Sequence, residues 1–215
     1  MGKQGSMTIL KPLLSLVLLL SICAGGVAGQ ADTTANSIGL IVLSERYGRK
    51  DFVHIYNGDG SPWYSFSFYY DDRDGKFDYA NEGFRPFAFH PDYFLLALKC
   101  VKREGGRYEV VVNEETGLRK YVRADDPTLR FETWESHILR VFSITLDLKE
   151  NPVRNAPHGR VTKAPTRDGP FHPVEVKGEW LKIKWGPADG GRTAGSGWIR
   201  WKRGERLLVE LFYFA

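Results

Sequence analysis

Cysteine and methionine are scarce, with two of each in 215 residues. Two cysteines cannot build the dense disulfide framework of a small secreted scaffold, nor a four-thiolate zinc cage. The five histidines, His54, His90, His137, His158 and His172, show no zinc-like spacing. A Gly-x-Ser-x-Gly nucleophile turn and a phosphate-binding loop are both missing. Charge of one sign is not in large excess either, since 30 Lys+Arg stand against 26 Asp+Glu. What remains is a chain rich in Phe, Tyr and Trp, with 29 such residues and 23 glycines. That composition suits a β-rich core with tight turns.

The first 29 residues read as a signal peptide. Lys3 and Lys11 make a short basic start, Pro12–Ala24 (PLLSLVLLLSICA) an apolar core, and Val27-Ala28-Gly29 a run of small residues before a cut after Gly29. Retention as a membrane anchor would need about 20 apolar residues, which the segment reaches only if its glycines are counted. Lipidation at Cys23 is a third fate: Leu20-Ser21-Ile22-Cys23 resembles a lipobox, with bulky Ile22 where a small residue belongs. Export would place the mature chain in the periplasm or outside the cell. A membrane association follows only from the second or third fate. With the signal removed, Cys100 stands alone and the core must hold the fold.

Charge is divided unevenly. Residues 30–148 carry 15 Lys+Arg and 19 Asp+Glu, about −4, whereas residues 149–215 carry 13 and 7, about +6. The asymmetry suggests two units docked on each other, or a basic face for an anionic partner, against the plainer alternative of differently solvated faces.

After a polar leader at 30–37, the pattern becomes β. IGLIVL, DFVHIY and WYSFSFYY are strand candidates, the last with Tyr64, Phe66, Phe68 and Tyr70 on one face. The segment from Glu82 to Asp92 reads as an ordered loop over the core. YFLLALKCV and RYEVVVN form a hairpin about REGG, and EETG turns the chain into LRKYVRA. One short helix is expected within LRFETWESHI, with Trp134 and Ile138 four apart on its buried side. RVFSITLDL returns to β. Beyond Lys149, HPVEVKG, EWLKIKW, GWIRW and RLLVELFYF are short strands between glycine- and proline-rich loops, and the last reads as a buried closing strand. The expected fold is mostly β: an N-terminal β-rich domain at 38–147 and a small barrel at 148–215 packed on it.

NPVRNAP at Asn151–Pro157, VEVKGEWLKIK at Val174–Lys184 and GWIRW at Gly197–Trp201 occur in that order. Together they resemble a bacterial SH3-type domain, over about a quarter of the chain. The loop HGRVTKAPTRDGPFHP and the added RLLVELFYF depart from the family's pattern. A weaker echo, Tyr108-Glu109-Val110-Val111-Val112 with Gly117 and Tyr121-Val122, is similar to the Trp180 strand and its partner, and suggests a second, divergent unit of the same kind. The resemblance implies a small β-barrel that engages cell-wall peptide or glycan, or another envelope protein.

Three kinds of chemistry are worth weighing. Domains of this family are often attached to cysteine peptidases, but Cys100 lies in the strand pattern ALKCV without a helix start to stabilise a thiolate, and reads as core. Asp71, Asp72, Asp74 and Asp78 around Gly75 fit a calcium loop poorly, because Tyr70 and Asn81 fall where the first ligand and the closing Glu belong; they read as a charged hairpin tip. No metal or cofactor is therefore expected. Binding has more support: Lys182, Lys184, Arg200, Lys202 and Arg203 interleave with Trp180, Trp185 and Trp201. Aromatic faces flanked by cations suit sugars, peptides or anionic glycans. The expected contacts are Trp201 and Arg200, with Lys182 and Lys184 beside them and Trp180 and Trp198 mainly structural. The same pattern also arises when tryptophans fill a small core and cations solvate its outer face. Nucleic acid, which such cation–aromatic faces can also bind, is rarely met by an exported protein. Two other classes stay open: an envelope hydrolase with its site in Ile38–Pro91, and an outer-membrane barrel, disfavoured by short strands with charges on both faces.

Overall fold

The structure, a computed structural model, describes Gly2 and residues 37–69, 81–162, 170–186, 194–204 and 206–214. The expected signal peptide and Asp71, Asp72, Asp74 and Asp78 lie outside the described residues. The chain is mostly β, in several antiparallel sheets, with one short α-helix among the described residues.

The first half runs β1 (Gly39–Leu43), β2 (Val53–Tyr56), β3 (Pro62–Phe66), β4 (Ala88–His90), β5 (Leu95–Glu104), β6 (Arg107–Asn113), β7 (Leu118–Arg123) and β8 (Leu129–Glu132). These strands make one sheet in the order β3-β2-β7-β6-β5-β1-β8, with β4 also paired to β5. The β5–β6 hairpin turns at Gly105 and Gly106, whose φ values of +56° and +76° require residues without a Cβ. The segment read as a loop at 82–92 contributes β4, because Ala88–His90 finds an open stretch of β5 beyond the end of β6.

Strand β5 explains how the molecule is layered. Leu96, Leu98 and Cys100 point to one face and join Ile41, Ile55, Phe66, Phe68, Val110 and Val122 in a first core. Ala97 points to the other face and joins Leu40 and Val42 of β1 in a second. Both faces are buried, so the strands read as continuous apolar runs. Lys99, only 3 % exposed, shares the second face and is paired with Glu114.

Helix α1 (Trp134–Ile138) is capped by the Thr133 hydroxyl, which accepts from Ser136 N. It lays Trp134 and Ile138 on the second core, as their spacing predicts. Then come β9 (Ser143–Thr145), β10 (His172–Lys177), β11 (Trp180–Trp185), β12 (Gly195–Arg200), β13 (Lys202–Arg203), β14 (Arg206–Leu207) and β15 (Glu210–Phe212). Strands β10, β11 and β12 form an antiparallel meander, and β15 pairs with β9. Ile144 of β9 also bridges Phe171. The chain thus joins the C-terminal pairings before residue 148. Leu181, Ile183, Ile199, Trp201 and Val209 complete the second core, which glues the C-terminal unit to the back of the large sheet.

RLLVELFYF forms two short strands instead of one closing strand. A bend at Leu208–Val209 interrupts the pairing, yet Leu207, Val209, Leu211 and Tyr213 all reach the second core. The period-two alternation survives although the ladder does not.

Candidate functional site

The meander has an inner and an outer face. On β11 the inner face carries Leu181 and Ile183, and the outer face carries Trp180, Lys182 and Lys184. On β12 Ile199 points inward, while Trp198 and Arg200 sit opposite Lys182 and Trp180 across the ladder. Along the edge of β12 opposite β11 runs the Asn151–Pro157 segment. Arg154 exchanges both backbone hydrogen bonds with Trp198, at 2.7 and 2.8 Å. The Asn151 side chain brackets Arg200, donating from Nδ2 to the Arg200 carbonyl at 2.7 Å and accepting from its N–H at 3.1 Å. Gly197 makes this approach possible: a Cβ there would lie 2.3 Å from Val153 Cγ1 and 3.0 Å from the Arg154 carbonyl.

Beside this segment and the strands lies a groove of about 330 Å³. Trp180 and Arg200 line it with Arg154, His158, Arg203 and Glu150. The Arg154 guanidinium sits 5.9 Å from the Trp180 ring centroid. The Trp180 indole N–H donates to His158 Nε2 at 3.2 Å, which fixes the ring against the loop. Arg200 is held by Glu179 through Nε at 3.0 Å and through a second guanidinium nitrogen. The Glu179 carboxyl is held below its ordinary value by the Arg200 hydrogen bond and by the Gly204 N–H. Glu179 neutralises Arg200 and Glu150 offsets one further cation, so the groove keeps a net positive charge. Its guanidinium donors have the fork geometry that matches a carboxylate.

Of the six residues picked from sequence, Trp180 and Arg200 therefore meet in one groove. Lys182 and Lys184 lie farther along the outer face of β11. Trp198 is buried, with the Lys177 ammonium 5.1 Å from its ring. Trp201 is not a surface contact: it is fully buried in the second core, with Nε1 donating to the Gly178 carbonyl at 2.9 Å. The reason is the strand period. Trp201 follows Ile199 inward, and a residue adjacent to Arg200 cannot share its face. Arg154 and His158 escaped the sequence reading because they lie on a loop that only the fold brings over Trp180.

Cys100 is 0 % exposed and packs in the first core. Burial pushes its thiol up to about 12, which disfavours a thiolate at this position. Among the described residues no cluster of His, Cys, Asp and Glu is arranged to hold a metal, and no helix is long and apolar enough to cross a membrane.

A second cavity lies where β1, β5, β8, the end of α1 and the segment after β15 meet. Its polar floor is a chain of three side chains. His137 Nδ1 contacts Glu132 Oε2 at 3.3 Å, and His137 Nε2 contacts the Tyr213 hydroxyl at 2.9 Å. With Glu132 accepting from Nδ1–H, Nε2 accepts a hydrogen bond from the Tyr213 O–H. Burial lowers the imidazole from its ordinary value, outweighing the Glu132 contact, and burial raises the Tyr213 phenol. No protein-family model, curated protein or solved structure matches this chain.

Proposed function

We propose that this is an exported, non-catalytic binding protein of a bacterial cell envelope, whose C-terminal unit is an SH3-like domain. Its ligand is a carboxylate-bearing cell-wall peptide or glycan, or an acidic segment of an envelope protein. The observation that carries this reading is the cationic groove around Trp180, built from Arg154, Arg200 and Arg203. The spatial meeting of the three resembling segments supports the domain type: Asn151–Pro157 packs on Gly197–Trp201, which pairs with Trp180–Trp185.

The test is co-sedimentation of the mature protein, from Gln30 onward, with purified peptidoglycan across a salt series. Saturable binding is expected, weakened at least about a hundredfold by the double variant Arg154→Gln/Arg203→Gln, since charge-assisted hydrogen bonds contribute about 1.5–3 kcal/mol each and about 1.4 kcal/mol is a factor of ten. Binding that vanishes with modest salt and ignores the double variant would reduce the reading to diffuse attraction of a basic face. No binding at any salt would turn the search to a protein partner, by crosslinking in the envelope.

A further inference from the structure

The second cavity has a volume of about 200 Å³, below the ~300–1,000 Å³ of pockets for drug-sized ligands. One wall is apolar, formed by Val42, Leu43, Leu95 and Val141. Beside it stand two guanidinium groups, Arg130, the cross-strand partner of Val42, and Arg140, each 3.5 Å from a Glu132 oxygen. A guanidinium has five N–H donors, and one long contact to Glu132 leaves both forks with capacity for a second anion. Charge counting sets how much anion fits. Arg130 and Arg140 bring two positive charges and Glu132 one negative. His137 and Tyr213 stay neutral where burial disfavours their charged forms. One positive charge is left over.

We propose that this cavity binds a small monocarboxylic acid with a short acyl or aromatic body, its carboxylate held by Arg130 and Arg140. The single surplus charge selects a monoanion over a dianion such as phosphate. The apolar wall rewards a hydrocarbon body and disfavours a bare anion. The site is separate from the Trp180 groove and shares no residue with it. It is also composite: Arg130 and Glu132 come from β8, Arg140 follows α1, and Tyr213 follows β15. A bound acid would therefore clamp the C-terminal segment onto the large sheet, raising stability as any ligand of the native state does.

The experiment is ligand-observed saturation-transfer NMR and calorimetry on the full mature chain, with hexanoate, hexan-1-ol and inorganic phosphate as probes. Saturable hexanoate binding is expected, at least tenfold stronger than that of hexan-1-ol or phosphate. Arg140→Gln should weaken hexanoate at least tenfold; its side chain is 57 % exposed, so the fold should tolerate the change. Arg130→Gln should act in the same direction, and near-UV circular dichroism checks that each variant is folded. Arg154→Gln/Arg203→Gln should leave hexanoate binding unchanged, which separates this site from the groove. The proposal is overturned by no saturable hexanoate binding, by equal binding of hexan-1-ol, by a folded Arg140→Gln variant that binds normally, or by loss of binding in the groove variant.

Discussion

Replacing Trp201 with alanine should destabilise the protein by about 3–5 kcal/mol, the cost of deleting a buried large aromatic and leaving a cavity. The figure follows from its place in the structure. Trp201 is 0 % exposed and lies among Leu181, Ile199 and Val209, in the core that joins the C-terminal unit to the large sheet. Its lost hydrogen bond adds little, because the Gly178 acceptor sits in an exposed turn and regains water. Against a typical total of about 5–15 kcal/mol, the variant stays folded but marginal. In urea, with a slope of about 2 kcal/mol per molar, the unfolding midpoint should fall by roughly 1.5–2.5 M. The control is Lys184→Ala, an exposed outer-face change that should stay within about 0.5 kcal/mol. A Trp201→Ala midpoint within about 0.3 M of the parent would refute the core assignment. Loss of peptidoglycan binding without loss of stability would return Trp201 to the surface as a ligand contact.

His137 should make stability depend on pH. Its imidazole, faced by Glu132, Arg130, Arg140 and the Tyr213 hydroxyl, has a folded-state value lowered by burial from 6.5. The unfolded state therefore binds more protons, so this contribution is fully present above pH 6.5 and is lost as pH falls below it toward the folded value. Denaturation midpoints between pH 7.5 and 5 should show that decline, and His137→Gln should flatten it; an identical slope in the variant would sink the assignment. Cys100 should react with a thiol reagent only as fast as the protein opens, since the buried thiol is pushed up to about 12. Fast labelling of the native protein at neutral pH would contradict its burial. Gly197→Ala should cost about 1–3 kcal/mol by forcing Val153 and the Arg154 carbonyl away from β12, and should weaken groove binding together with stability. Chemical denaturation and co-sedimentation on the same variant check both halves.

How much was legible in the sequence differs by element. The β5–β6 hairpin was plain, because two glycines between apolar runs specify a turn from local backbone preference alone. So was the existence of α1, whose Trp134 and Ile138 spacing matches one turn of helix. RLLVELFYF was half legible: its alternation told which side chains face inward, while the bend at Leu208–Val209 left no local signal. At the groove, the cation and tryptophan interleaving singled out β11 and β12, which contribute Trp180 and Arg200 to its lining. It chose Trp201 wrongly as a contact, although Ile199 two residues earlier already marked that face as the inner one.

Local physics determined the β class, helix α1, the turns, and the buried position of Cys100 within an apolar strand. Each of these depends on residues within a few positions of one another, where side-chain period and backbone freedom act directly. Only the tertiary structure decided that β5 would be covered on both faces, that Arg154 and His158 would close over Trp180, and that Glu132 and His137 would meet Tyr213, 76 residues beyond His137. Those arrangements depend on which layer stacks on which, a balance of apolar area buried between distant segments that no local spacing encodes.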